Sequence, residues 1–297
     1  MNLAIASCRD LPDWEKDDLP FFSELDALDI NYQILPWDTD CDWSQFDACL
    51  LRTTWDYQER IDEFMQWIDR VSRQTQLLNP KPIIEWNSHK RYLRELEQAG
   101  IAITPSEWLI RGQTYDVAAL MGKHGWQRGF LKPLIGANAR ECLRFSLSSE
   151  EELSAAQQHV DRLCTKEDLV LQPYLANVET FGETSGIFFN GKYSHGTRKV
   201  PVKGDFRVQD DYGASDFVYH LSEAEQELAE KAIQHVTAQV GAPLYARVDF
   251  LHHKDGAAFV NELELIEPSL FFRHGGKESC KMFAQALVNA IKHTHQS

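Results

Sequence analysis

The sequence predicts a mixed α/β (α+β) fold, and three observations carry that expectation. Residues 3 to 71 alternate strand-like and helix-like runs, as a β/α lobe does. Residues 244 to 265 read as a β-hairpin with apolar and acidic side chains in alternation. Helices are expected over Ser149 to Leu163, Glu223 to Val240 and Glu278 to Lys292.

In chain order, residues 3 to 7 and 31 to 35 are short parallel strands around an amphipathic helix over Leu19 to Leu28. Ala48 to Leu51 is a third strand, ahead of a helix across Ile61 to Val71. This lobe lacks the G-x-G-x-x-G turn of a dinucleotide-binding fold, so a nucleotide site is expected elsewhere. Asn79-Pro-Lys-Pro82 is the expected boundary, because prolines stop regular structure and favour an extended connector. Asn87-Ser88 is expected to cap a helix running through Lys90, Tyr92, Leu93 and Leu96 to Gly100. Strands follow at Ile101 to Thr104 and Phe130 to Pro133, separated by a polar stretch with a helix around Val117 to Lys123. Leu169-Val-Leu-Gln172-Pro-Tyr174 reads as a strand ending in a turn. The division expected from these signals is 1–86, 87–168 and 169–297.

Composition narrows the function classes. With 43% hydrophobic and 25% charged residues in 297, the chain is ordinary for a soluble globular protein, and extensive disorder is not expected. Thirty Lys and Arg against 45 Asp and Glu leave a formal charge of −15, which argues against nucleic acid or an anionic membrane surface as partner. Any phosphate-bearing ligand must then be held by local cations. The amino terminus does not read as a secretory signal and no apolar run approaches a membrane span, so a cytoplasmic location is expected. Six scattered cysteines without a C-x-x-C pair indicate neither a zinc site nor a disulfide framework.

The hairpin carries the chemistry. Leu244-Tyr-Ala-Arg-Val-Asp249-Phe250-Leu251 and Ala258-Phe-Val-Asn-Glu262-Leu-Glu264-Leu flank a turn at Lys254-Asp-Gly256. Period-two alternation puts Glu262 and Glu264 on one face, where Asp249 on the partner strand can oppose them. Clustered carboxylates repel unless a cation sits between them, and all-oxygen ligands suit Mg²⁺ or Mn²⁺ shared with water and nucleotide phosphates. The alternative is an acidic, solvated edge, against which Val248, Phe250, Leu263 and Leu265 alternate with the acids as a buried face would. Lys132 ends an apolar strand and precedes a loop of small residues, Leu134-Ile-Gly136-Ala-Asn-Ala139, whose backbone N–H groups suit phosphate. Lys90 is a second candidate, and a solvated surface charge is the alternative for either lysine. Gly186-Ile-Phe-Phe-Asn-Gly191-Lys192 superficially matches a P-loop, but Tyr193 replaces the metal-binding Ser or Thr and the segment reads as a hairpin turn.

Taken together, these segments resemble the ATP-grasp superfamily, particularly glutathione synthetase and RimK-type carboxylate–amine ligases, over residues 87 to 272. The resemblance implies a Rossmann-like pre-ATP-grasp lobe followed by two subdomains that clasp ATP. Asn87-Ser-His-Lys90 and Leu131-Lys132-Pro133 resemble the two phosphate-binding lysine motifs, and Val170-Leu-Gln172-Pro-Tyr174-Leu175 resembles the hinge strand that pairs with adenine. Glu179 and Glu183 become candidates for ribose contact or site architecture. Arg198-Lys199 with Gly204-Asp-Phe-Arg207-Val-Gln209 and Tyr212-Gly213 resembles the loop that brings cations to the γ-phosphate, and Asp249, Glu262 and Glu264 fall on the metal-ligand positions. The usual Glu-x-Asn is here Glu262-Leu-Glu264, and Ser185 stands where an arginine often follows the hinge. The runs Arg52-Thr-Thr-Trp55-Asp56-Tyr57, Gly196-Thr-Arg198-Lys199 and Glu262-Leu-Glu-Leu-Ile-Glu267-Pro268 look like a bacterial subgroup that includes the cyclo-ligase of cycloserine biosynthesis.

The resemblance implies that ATP phosphorylates a small carboxylate and that an amine displaces phosphate from the acyl phosphate, ADP being released. Arg207 and Lys199 are the expected cations on the reacting groups, and Arg247 either serves phosphate or neutralises the carboxylates. Amino-acid-like carboxylate and amine substrates, and a homodimer, are further implications. Arg9 and Arg52 are candidates to hold a second substrate carboxylate, Arg52 alternatively pairing with Asp56 while Trp55 and Tyr57 pack the lobe. Phe271-Phe272-Arg273-His274 is a candidate rim, and His195 and His274 are proton acceptors or turn residues. Two other readings stay open: a kinase that stops after phosphorylation, and a nucleotide-binding regulatory protein that makes no bond.

Overall fold

Three sheets, each organised around a different stretch of the chain, surround one cleft in the computed structural model, which describes residues 1–11, 16–136 and 138–294. The first is the expected alternating lobe. β1 (Asn2–Ser7), α1 (Leu19–Ala27), β2 (Asn31–Pro36), β3 (Ala48–Thr53), α2 (Ile61–Val71) and β4 (Gln76–Leu78) form a parallel sheet in the order β2-β1-β3-β4. Its central strands are buried, β1 from Leu3 onward and β3 throughout, as a sheet covered on both faces requires.

Two short helices, α3 (Lys81–Asn87) and α4 (Tyr92–Gln98), lead into the second sheet. That sheet is antiparallel, built from β5 (Glu107–Leu109), α5 (Val117–His124), β6 (Arg128–Pro133), β7 (Leu143–Ser146), α6 (Glu150–Leu163) and β8 (Leu169–Pro173), in the order β5-β8-β6-β7. α6 starts where Ser149 accepts a hydrogen bond from the Glu152 N–H, with three glutamates in its first turn and Arg162 in its last, all favourable to the helix dipole. β8 is thus hydrogen-bonded to the middle sheet, although the sequence division opens the third segment with it.

The third sheet is antiparallel and five-stranded. β9 (Glu183–Phe189), β10 (Lys192–Val200), β11 (Ser215–Tyr219), α7 (Glu223–Val240), β12 (Tyr245–His252), β13 (Ala258–Glu264) and α8 (Phe272–Thr294) give the order β11-β10-β9-β12-β13. The P-loop lookalike is the β9–β10 hairpin turn, with Asn190 and Gly191 both at positive φ. α7 is fixed by a reciprocal capping box between Ser222 and Glu225. α8 begins earlier than expected and is broken at Gly276, whose φ of 64° is non-helical. No described helix is long and apolar enough to cross a membrane.

Three local expectations are corrected. Asn79–Pro82 is not an extended connector: Pro80 precedes the first turn of α3, where proline's missing N–H costs nothing. Asn79 is fully buried, donating to the Tyr245 and Leu265 carbonyls and accepting from the Leu244 N–H. Asn87 does not cap a helix either. It ends α3 and pins β13, donating to the Leu263 carbonyl at 2.7 Å and accepting from the Leu265 N–H at 2.8 Å, while α4 starts only at Tyr92. Ile101 to Thr104 makes no ladder; it contributes a single parallel bridge, Ile103 to Val260, on the outer side of β13.

The lobe and the third sheet share one core. Phe283 of α8 is fully buried, with ring centroids 4.8 Å from Phe21 of α1 and 4.7 Å from Phe189 of β9, and Tyr245 of β12 meets it edge-on at 5.8 Å. Removing that ring leaves a cavity that four elements line. We predict that Phe283→Ala lowers stability by about 3–5 kcal/mol in urea unfolding, whereas Phe217→Ala, at a site 48% exposed on β11, stays within about 0.5 kcal/mol of the parent. Equal effects of the two substitutions would contradict this placement of the core.

Candidate active site

β12 and β13 pair in a register that sets Asp249 opposite Glu262 and Arg247 opposite Glu264. Val248, Phe250, Leu263 and Leu265 on the other face are buried, as the alternation required. The register shifts after Asp249, so that Phe250 faces Val260 and Asn261 is the extra residue of a bulge. The bulge brings Asn261 to the acidic face, where its amide donates to Glu183 at 2.7 Å and its oxygen accepts from Lys132 at 3.1 Å. Simple alternation hid this residue.

Each carboxylate on this floor has a cation beside it. Arg247 spans Asp249, at 2.9 Å, and Glu264. Lys199 from β10 pairs with Glu183 of β9 and lies 3.6 Å from Asp249, and Ser185 donates to Asp249 at 2.5 Å. Glu262 has Lys132 at 3.3 Å and Lys90 at 3.7 Å, while Lys90 also donates to the Gly136 carbonyl at 2.5 Å. Burial opposes charge at Asp249, but Arg247 and Lys199 outweigh it and hold the carboxyl below its ordinary range. Burial likewise opposes Glu262, and Lys90 with Lys132 lowers it. At Glu264 burial wins over Arg247 and the carboxyl is raised.

The cleft above this floor holds a cavity of about 230 Å³ that opens to solvent. At one end, Gln172, Tyr174 and Leu175 line it where β8 turns away. Arg128 lies 4.4 Å over the Tyr174 ring, and the Tyr174 hydroxyl donates to Glu179 at 2.6 Å. Burial and Glu179 push that hydroxyl up to about 12. Glu179 also takes Arg144 at 3.2 Å, so it braces this wall and does not itself line the cleft. Gly136 lines the cleft beside Lys90; Ala137, the next residue of the small-residue loop, lies outside the described residues.

The loop after β10 lines the cleft through residues 206–211. Arg144 donates to the Gly204 carbonyl at 2.9 Å and Tyr212 donates to the Asn138 carbonyl at 3.0 Å, tying this loop to both β7 and the phosphate-loop candidate. Phe206 inserts between Phe130 and Tyr174, edge-on at 5.2 and 6.5 Å. Arg207 faces the cleft with its guanidinium on Asp205 at 2.7 Å and over the Tyr212 ring at 3.8 Å.

The candidates of the sequence therefore divide. Lys90, Lys132, Gly136, Gln172, Tyr174, Leu175, Glu183, Lys199, Arg207, Arg247, Asp249, Glu262 and Glu264 come together in one cleft, with Glu179 behind it. Arg52 and Arg9 do not join them. Arg52 is 2% exposed and forks onto Asp18 at 2.8 Å through both nitrogens, not onto Asp56, which accepts from Trp37. Arg9 pairs with Asp38 on the surface. Trp55 and Tyr57, read mainly as packing, both line the cleft. His195 of β10 meets the Leu270 and Phe271 carbonyls and His274 of α8 pairs with Asp216 of β11, and neither histidine lines the cleft. Arg273 ties Asp17, Asp210 and Asp216 together behind the rim.

The donors on the floor are all hard oxygens, which fit Mg²⁺ or Mn²⁺ in chemical type. Among the described residues, no three acidic, histidine or cysteine side chains are grouped so that they alone could hold a metal ion. Mg²⁺ characteristically takes few protein ligands and keeps the rest for phosphate and water.

Known proteins resemble this chain in sequence and in fold. A family model described as the N-terminal domain of the D-cycloserine synthetase DcsG matches residues 3–79. The cycloserine biosynthesis protein DcsG of Streptomyces lavendulae is 31% identical over 292 residues, spanning 92% of this chain and 93% of that protein. The crystal structure of D-cycloserine synthetase DcsG superposes with a TM-score of 0.88 at 28% identity, covering 98% of this chain and 100% of the other. The D-alanine–D-alanine ligase of Bacillus anthracis complexed with ATP shares the fold, with a TM-score of 0.65 at 15% identity and 99% of each chain covered. The chain belongs to the family of the cycloserine synthetase DcsG within the ATP-grasp ligases, ADP-forming enzymes that use ATP to join a carboxylate to an amine.

Proposed function

We propose that this ligase binds ATP with Mg²⁺ (or Mn²⁺) in the cleft and activates the carboxylate of a small amino-acid-like substrate as an acyl phosphate. An amine on the same or a second molecule then displaces phosphate and forms the C–N bond. The observation that carries this reading is the convergence of four carboxylates, Glu183, Asp249, Glu262 and Glu264, with Lys90, Lys132, Lys199 and Arg247 on the floor of a single cleft.

In this reading Gln172, Tyr174 and Leu175 receive the adenine edge, the Glu179-braced wall shapes the ribose end, and Glu183, paired with Lys199, serves the architecture of the floor. Lys90 and Lys132 act as point charges on the phosphates, and Gly136 lets backbone approach them. Asp249, Glu262 and Glu264 are the residues that would hold the metal, which would supply positive charge to the phosphates when bound. Lys199, Arg207 and Arg247 are left for the acyl phosphate and the tetrahedral species that follows it, where a guanidinium fork suits two oxygens at once. Phosphoryl transfer asks little covalent help of the protein, so rate should come from positioning and charge compensation. The net charge of −15 supports small molecules over nucleic acid or anionic membrane as partners. We further propose a cytoplasmic enzyme that acts as a homodimer.

The test is ADP and phosphate release with Mg·ATP against pools of amino acids and their derivatives, with product masses recorded. Release that depends on one pool, with a new mass one water below the summed substrates, or below a single substrate that cyclises, is the expected result. Release without such a mass indicates phosphorylation or uncoupled hydrolysis and contradicts ligation. Because the metal contributes several kcal/mol of charge stabilisation, Glu262→Gln should lower turnover by roughly 100-fold or more while circular dichroism stays unchanged. Undiminished turnover in that variant would remove Glu262 from the metal site.

A further inference from the structure

Glu267, three residues beyond the last acid of β13, has no place in the chemistry above, yet its side chain lines the same cleft. It is 9% exposed, its carboxylate takes a hydrogen bond from its own backbone N–H, and no described Lys, Arg or His forms an ion pair with it. That distinguishes it from Glu183, Asp249, Glu262 and Glu264, each of which has a cation within contact distance. The two cations that influence it from further away are already engaged. Arg247 is held by Asp249 and Glu264, and Lys90 by Glu262 and the Gly136 carbonyl.

A buried carboxylate without a cation beside it is costly, and proteins retain such a group where a ligand supplies the missing charge. Burial and the neighbouring Glu264 push the Glu267 carboxyl up to about 8, the mark of an anion short of a cation. Its surroundings specify which cation. Trp55 donates its indole N–H to the Glu267 carbonyl at 3.4 Å, and the buried Tyr57 is near enough for Glu267 to help raise its hydroxyl, after burial itself. Both rings line the cleft. A carboxylate set against aromatic rings is the environment that recognises an alkylammonium group, by charge and by cation–π attraction.

We infer that Glu267, with Trp55 and Tyr57 beside it, forms a subsite for the free ammonium group of an α-amino-acid substrate. The inference rests on the proposed ligase reading and deepens it. The substrate of that reading then carries its α-amino group unblocked.

Calorimetric titration tests this with the protein saturated by Mg²⁺ and a non-hydrolysable ATP analogue. The probes are the D- and L-forms of serine and alanine, and the N-acetyl derivative of each. At least one free amino acid should bind the parent protein while its N-acetyl form does not, a comparison that needs no variant. Glu267→Gln should bind the nucleotide as the parent does and weaken that amino acid by roughly 30-fold or more, the usual cost of removing one partner of a buried charge pair, with Glu267→Asp recovering part of the loss. Equal binding by Glu267→Gln, or equal binding of the N-acetyl form, overturns the subsite alone. Nucleotide binding with no response to any amino acid overturns the amino-acid reading and the subsite with it. Loss of Mn²⁺ affinity in Glu267→Gln without any amino acid present would make Glu267 a metal ligand and overturn the proposal.

Discussion

Charge compensation under the cleft is the constraint on which the rest of the architecture depends. Asp249, Glu183 and Glu262 are drawn from three strands, and Lys199, Lys132, Lys90 and Arg247 from β10, β6, the α3–α4 connection and β12. Burying any one of these ions alone would cost several kcal/mol, and removing one partner of such a pair typically costs about 3–5 kcal/mol. The strands must therefore meet in a register that keeps every pair closed. The Asn261 bulge, the Asp249–Glu262 pairing and the Ser185 hydroxyl all serve that end. An ionic floor of this kind is a poor source of net stability and a good source of position, which a phosphoryl-transfer site needs most.

Stability comes from elsewhere and holds the floor in place. Asn79 and Asn87 use side-chain amides to stitch the start and end of α3 to β12 and β13, so the lobe's last helix fixes the height of the acidic strands. Phe283 and its ring neighbours join α8 and α1 to the back of β9 and β12. The connection from fold to site is direct: the face of β12 opposite Phe250 and Val248 carries Asp249 and Arg247.

Much of this was legible in the sequence, for identifiable reasons. The lobe and the β12–β13 hairpin follow from periodicity, which local side-chain alternation encodes directly. Lys132 was legible because a lysine ending an apolar strand has few destinations other than a site. Asn79 and Asn87 were not, because their partners are more than 160 residues away and a Pro-rich stretch reads locally as a connector. β4, β5 and β7 span three or four residues each and carry too little pattern to be seen. Asn261 was hidden by a bulge that reverses its face, and Arg52, which looked available, is claimed by Asp18.

The claim that matters most is that a substrate carboxylate, activated by phosphate, passes through this cleft. Its most direct test uses the amino acid that drives ADP release, labelled with ¹⁸O in its carboxylate, and mass analysis of the phosphate set free. The account predicts one ¹⁸O atom in that phosphate, because the acyl phosphate carries a carboxylate oxygen away when the amine attacks. Phosphate released without label, while the C–N product accumulates, would contradict it.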